Sequence, residues 1–276
     1  FGYDEQNTPR ETRMLIKTGG GSPTFARASG IHWHMNIANE ITYIATDRQR
    51  QQIPWVRLRN RQTGKQVVYT ASESPLTPQQ IASMPRRVMD CVDCHNRPTH
   101  VFLPPDHAVD NQILIGAVDA SLPYIKREAV NALTKPYDTT AEALSGIKSH
   151  IDSLYRMSYK AVYGEKKSTI DRAIASVQRV YQSNFFPEMK VDWKTHPDNI
   201  GHLYFPGCFR CHDNQHVSAD GKTLSNACDV CHTVLSQREG SALMVSMPDE
   251  GFTHPVDLGD LTMFKCSDCH SGAVME

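Results

Sequence analysis

The sequence predicts an α+β chain with most of its regular structure before residue 201. Three observations predict it. Residues 1–90 contain short runs rich in Ile, Val, Thr and Tyr, separated by turn residues. Residues 96–207 carry apolar stripes at helical spacing. Residues 201–276 show little periodicity but hold three of the chain's four copies of one cysteine motif.

In chain order, Arg13–Thr18, Glu40–Asp47, Ile53–Arg59 and Lys65–Thr70 are the expected strands. Arg61-Gln62-Thr63-Gly64 is the expected hairpin turn between the last two. Gly19-Gly20-Gly21 lacks the spacing of a phosphate-binding loop and reads as flexible chain. The domain reading is a β-rich segment at 1–90, then a region at 91–276 with a helical insertion at about 108–187. A central helical pair is expected in that insertion. Leu144, Ile147, Ile151, Leu154, Tyr155 and Val162 form its first stripe, and Ile170, Ala173, Ile174, Val177, Val180, Tyr181 and Phe185 its second. Ser168 and Asp171 resemble a capping box, and Pro187 is expected to stop the second helix.

Composition narrows the function classes. The chain has 276 residues, 39% hydrophobic and 21% charged, which is neither a disordered tail nor a membrane bundle. The longest aliphatic stretch, Ile113–Val118, is too short to cross a bilayer. A net charge of -1 argues against a nucleic-acid partner. The charge is uneven: residues 1–90 carry 12 basic and 7 acidic side chains, and residues 188–276 carry 6 and 13. No secretory signal pattern opens the chain, and its first residue is Phe1, so it reads as a processed chain or a fragment.

All eight cysteines fall in Cys-x-x-Cys-His motifs: Cys91, Cys94 and His95; Cys208, Cys211 and His212; Cys228, Cys231 and His232; Cys266, Cys269 and His270. This is the attachment signature of c-type haem. Two thiols on one turn of backbone add to the two vinyl groups of one haem, and the next residue sits under the iron as proximal ligand. Zinc, a disulfide framework and a thioredoxin-like pair are the competing readings. Cys208, Cys211, Cys228 and Cys231 have zinc-ribbon spacing, but neither zinc nor disulfides require His directly after the second Cys. The cofactor expectation is therefore four haem c. The fold expectation becomes a multihaem cytochrome c with the haem stack as its core and little regular structure around it.

Thirteen histidines less four proximal ones leave nine, which favours bis-His ligation over methionine. Closeness to the motifs selects His100, His202, His216 and His254 as preferred distal ligands. His32 and His34, flanking Trp33, are a further candidate pair, far in sequence from any Cys. His150 lies on a helical stripe and reads as a packing residue, and His107 and His196 read as solvated.

Met14–Gly21, Gly30-Ile31-His32-Trp33-His34, Ile53–Arg57, Met89–Pro98, Asn199–His202 and Pro206–His212 carry a resemblance. The chain resembles the C-terminal part of large multihaem c-type cytochromes that begin with a NapC/NirT-like membrane-anchored haem region. The resemblance implies a periplasm-facing electron carrier in a respiring bacterium, with electrons passing from membrane quinol to downstream cytochromes. It also implies axial ligands in the stretches holding His202, His216, His100 and the His32–His34 pair. The anchor and upstream haems of that pattern are absent from these residues, so quinol oxidation is not assigned to them.

Electron transfer is therefore the expected function, with other cytochromes or redox proteins as partners and a periplasmic or extracellular location. The first alternative is a subunit of a polymeric cytochrome filament, with copies of this chain as partners. The second is a multihaem reductase, which needs one haem with an open position.

Overall fold

A computed structural model describes residues 1–19, 30–245, 252–259 and 264–274. In chain order they form β1 (Arg10–Ile16), β2 (Asn39–Ile44), β3 (Trp55–Asn60), β4 (Gln66–Ala71), α1 (Pro78–Ser83) and β5 (Arg87–Val88). The helical layer follows with α2 (Pro105–Leu114), α3 (Ile125–Thr134), α4 (Thr140–Ser158), α5 (Lys160–Glu165) and α6 (Lys167–Asn184). The C-terminal part adds β6 (His216–Ser218), β7 (His232–Glu239), β8 (Ala242–Val245) and the single turn α7 (Cys266–Cys269). Gly20 and Gly21 of the glycine run lie outside the described residues.

A strand stands at each of the four expected places, shifted by up to three residues. The hairpin between β3 and β4 closes where Gly64 takes φ +71, a left-handed conformation that glycine adopts without strain. β2 is buried at Ile41 through Ile44, so both its faces are covered. Its Ile41 and Tyr43 form a small core with Ile53 and Val56, and Met89 and Cys211 pack against it. A haem-motif cysteine is thus already in contact with the sheet.

Both sheets draw strands from either side of residue 90. The five-stranded sheet has the order β5-β2-β3-β4-β6, with Ala71 opposite His216. The three-stranded sheet has the order β1-β7-β8, with Ile16 opposite His232. β6, β7 and β8 lie where periodicity predicted little regular structure. A register shift in the β1–β7 ladder between Arg13 and Met14 leaves Leu235 unpaired. Val234 and Gln237 are then buried at a spacing of three, which hides the strand from a period-two search.

The helical layer has its own core, built from Val109, Ile125, Leu133, Ile147, Ile151, Ile170 and Val177 among others, all buried. Instead of a pair the layer has five helices; the first expected stripe lies on α4 except Val162, which is on α5, and the second lies on α6 up to Tyr181, with Phe185 just past its end. Gln178 of α6 donates to the Leu144 carbonyl near the start of α4 at 2.7 Å, and Lys167 at the start of α6 lies 3.5 Å from Asp152 late in α4. The two helices are therefore antiparallel. The expected capping box at Ser168 does not form. α6 begins at Lys167 with no side-chain cap, and Asp171 pairs with Lys167 instead. The helix ends at Asn184, before Pro187, which opens a 3₁₀ turn.

His150 faces α3. Its Nε2 lies 2.8 Å from the Glu128 carboxylate, and Arg127 donates to the same group at 2.7 Å. Burial works to raise the Glu128 carboxyl, but the bonds from Arg127 and His150 outweigh it and hold it below its ordinary value. A carboxyl lowered on folding stabilises above its unfolded pKa of ~4.3, and that contribution is lost as pH falls through the lower folded value. Glu128→Gln is expected to cost ~1–3 kcal/mol at pH 7. The gap from the native chain should close below pH ~4 when unfolding is followed by circular dichroism. A gap that persists in acid would show that the charge of Glu128 is not what stabilises the layer.

Candidate haem sites

Each Cys-x-x-Cys-His motif folds as one tight turn. Three are 3₁₀ turns, at Cys91–Asp93, Gly207–Arg210 and Cys228–Val230, and the fourth is α7. In three of them the amide of the motif histidine donates to the carbonyl of the first cysteine: His95 to Cys91 at 2.8 Å, His212 to Cys208 at 3.0 Å and His270 to Cys266 at 2.8 Å. This turn brings two thiols together and sends the imidazole onward.

The second turn depends on a close backbone approach. Gly207 has φ +50, and a Cβ there would lie 1.4 Å from the Gly201 carbonyl oxygen. Cys208 donates to that same oxygen at 3.2 Å. No side chain fits between the turn and the segment that carries His202.

All eight cysteines are free thiols. Burial raises the thiols of Cys94, Cys231 and Cys266, and pushes that of Cys211 up to about 12. Among the described residues no group of three or more His, Cys, Asp or Glu converges as metal ligands would, the zinc-ribbon quartet included.

The histidines are arranged in pairs. Each motif histidine faces one other histidine: His95 faces His32 at 6.4 Å between ring centres, and His212 faces His34 at 5.8 Å. His232 faces His202 at 6.1 Å, and His270 faces His254 at 6.3 Å. Two imidazoles bonded to opposite sides of one metal at ~2 Å through a ring nitrogen hold their centres roughly 6 Å apart. Direct ring contact or a hydrogen bond would bring them closer. The four separations therefore fit a metal between the rings.

The ring nitrogens fit the same group. Nδ1 of His34 lies 2.7 Å from the Ile31 carbonyl, and Nδ1 of His212 lies 3.0 Å from that of Ser225. A carbonyl accepts only an N–H, so these rings carry the proton on Nδ1 and leave the Nε2 lone pair for a metal. In His254, Nδ1 is engaged by the Val256 backbone at 2.8 Å. Nδ1 of His202 and of His232 is buried without a partner. Burial lowers the pKa of His202, His212, His232 and His270, which favours the neutral ligand form.

His32 and His34 come from one 3₁₀ turn, Ile31–Met35, which leads into β2. His202 faces the histidine not of the motif that follows it but of the next one, and its ring stacks on Phe209 at 4.4 Å. The structure does not bring His100 or His216 to a motif histidine. His100 bonds through Nε2 to the Ser183 carbonyl at 2.8 Å and stacks on Phe102. His216 is 2% exposed, with Nδ1 2.8 Å from Asp213 and Nε2 2.6 Å from the Ile53 carbonyl. Neither nitrogen of His216 is free. Closeness to the second motif selected His216, but the motif turn ends at Arg210 and His216 opens β6, which turns its ring to Asp213 and Ile53. His107 and His196 line an open cavity of about 270 Å³ beside His202, with Arg97, Phe102 and Trp193.

Over 274 residues, 99% of its length, the chain is 45% identical to the cytochrome c-type protein ImcH of Geobacter sulfurreducens. The chain is homologous to a c-type cytochrome. It spans 53%, about half, of the length of that relative. No protein-family model matches the chain, and no solved structure does. A c-type cytochrome holds haem c and carries electrons, and the free thiols and metal-spaced imidazoles of this cytochrome homologue suit that group.

Proposed function

We propose that the chain holds four haem c groups, one per motif, and acts as an electron relay rather than an enzyme. One observation carries the reading: every motif histidine faces a second histidine about 6 Å away, at 5.8 to 6.4 Å. A haem held by two imidazoles supplies a reversible one-electron centre with no open position for substrate. The chain's own part is to fix that ligation. Cys91 and Cys94 with His95 and His32 hold the first group, and Cys208 and Cys211 with His212 and His34 the second. Cys228 and Cys231 with His232 and His202 hold the third, and Cys266 and Cys269 with His270 and His254 the fourth.

The motifs are also contiguous. The Arg210 side chain donates to the Asp93 carbonyl at 2.9 Å, joining the first two. The Cys208 amide donates to the Gly201 carbonyl at 3.2 Å, next to His202 of the third site, and Tyr204, two residues on, donates to Asp106 at 3.0 Å. This supports one relay in the order Cys91, Cys208, Cys228, Cys266, with the helical layer against its far end, where Asp106 of α2 donates to the Gly272 carbonyl at 3.2 Å. A NapC/NirT-like donor region, a downstream cytochrome as acceptor, and a periplasmic or extracellular location belong to the same proposal. Each motif histidine has a partner within the chain, so ligation shared between copies in a filament is not required. Mass spectrometry of the denatured protein tests the reading. Four added haems are expected, and fewer than four, or bound zinc in their place, would refute it.

A further inference from the structure

We propose that Arg210 is a positioning residue that locks the first two haem sites into one magnetically and electrically coupled pair. The inference rests on the four-haem reading. Arg210 is the third residue of the second motif, and Asp93 the third of the first. The guanidinium is 8% exposed and makes three bonds to backbone carbonyls: Nε to Gly207 at 2.8 Å, Nη1 to Arg50 at 3.0 Å and Nη2 to Asp93 at 2.9 Å. It grips its own turn, the neighbouring turn and the loop after β2.

The gripped turn is itself rigid. Asp93 is 1% exposed, and its carboxylate accepts from Tyr43 at 2.7 Å, Arg87 at 2.7 Å, Arg50 at 3.1 Å and the Asp90 amide at 2.9 Å. Asn199 donates to the same Asp93 carbonyl that Arg210 reaches, at 2.9 Å. On the opposite side, the single turn Ile31–Met35 supplies both facing histidines, His32 and His34. The first two sites are thus tied on both sides, by Arg210 between the attachment turns and by one turn between the distal ligands.

Only arginine meets these demands. Its planar fork addresses three acceptors at once, while a lysine ammonium is a point charge on a flexible stem. Its three partners are carbonyls, so its charge is not cancelled by a bonded carboxylate. A positive charge beside two irons disfavours the more positive, oxidised state of each and raises both potentials. Geometry and charge are therefore separable by substitution.

The test uses the full haem-loaded chain with Arg210→Lys, Arg210→Gln and Asn199→Ala, each first checked for four covalent haems. Electron paramagnetic resonance of the oxidised native protein is expected to show two low-spin signals broadened by each other. Arg210→Lys and Arg210→Gln should both sharpen them, and Asn199→Ala should do so to a smaller degree. In redox titrations Arg210→Gln should shift two potentials downward, while Arg210→Lys leaves their mean in place. A residue needed only for folding would change haem yield or stability but not these signals. If Arg210→Gln fails to load haem, the other two variants decide. Uncoupled signals in the native protein, or native-like coupling in the loaded Arg210 variants, would overturn the proposal. A native chain without four haems would instead sink the reading beneath it.

Discussion

If the four-haem proposal holds, His202→Ala is expected to turn one haem high-spin and leave the other three unchanged. His202 faces His232 at 6.1 Å, is held by stacking on Phe209 at 4.4 Å, and has a buried Nδ1 without a partner. The methyl group of alanine supplies no ligand, so a third iron held as proposed would keep only His232. Loss of a strong-field axial ligand changes the spin state outright, so the effect is all-or-none at one centre. The controls are His100→Ala, His216→Ala and His150→Ala, whose rings are engaged by Ser183, by Asp213 and Ile53, and by Glu128. All three should keep every haem low-spin in absorption and magnetic circular dichroism spectra. A high-spin haem in His100→Ala or His216→Ala, with none in His202→Ala, would reverse the assignment.

Gly207→Ala has the largest expected effect on stability. A left-handed residue with a Cβ costs ~1–2 kcal/mol by itself. Here the Cβ would also lie 1.4 Å from a backbone oxygen, so the segments at Gly201 and Cys208 must separate. The total should exceed ~4 kcal/mol, the range reached only by severe steric or packing defects. Gly64→Ala is the matched control, because φ is +71 and nothing lies within 4 Å of the added atom. It should cost only the conformational part. Denaturant unfolding of both variants makes the comparison, with haem content at Cys208 as a second readout. Equal losses in the two would mean that the close approach at Gly207 does not constrain the turn.

Much of the fold was legible in local pattern, and the failures have physical causes. β2, β3 and β4 follow from β-branched runs and the Gly64 turn, and α4 and α6 from their stripes. β7 escaped because the irregularity opposite Arg13 and Met14 breaks its alternation. The four Cys-x-x-Cys-His turns were legible because spacing alone marks them. The facing histidines were harder. A distal ligand must reach the far side of a porphyrin, which residues close behind a proximal histidine cannot do. Sequence closeness favoured His100 and His216, and both are tied by hydrogen bonds elsewhere, to the Ser183 and Ile53 carbonyls. His32 and His34 reach His95 and His212 because β2 carries the chain to the first motif, where Tyr43 bonds Asp93. The legible signal was the His-x-His spacing itself. The Asp93–Arg210 link has no such signal, since its acceptor is a main-chain carbonyl.

Locating the four irons in an experimental structure of the haem-loaded protein is the most direct test. The pairings place one iron between His32 and His95, one between His34 and His212, one between His202 and His232, and one between His254 and His270. The proposed relay further predicts the Cys91 iron next to the Cys208 iron at the head of one continuous row. An iron whose sixth ligand is methionine, His100 or His216 would contradict the pairing. A Cys91 iron standing apart from the other three, with protein filling the gap, would contradict the single relay.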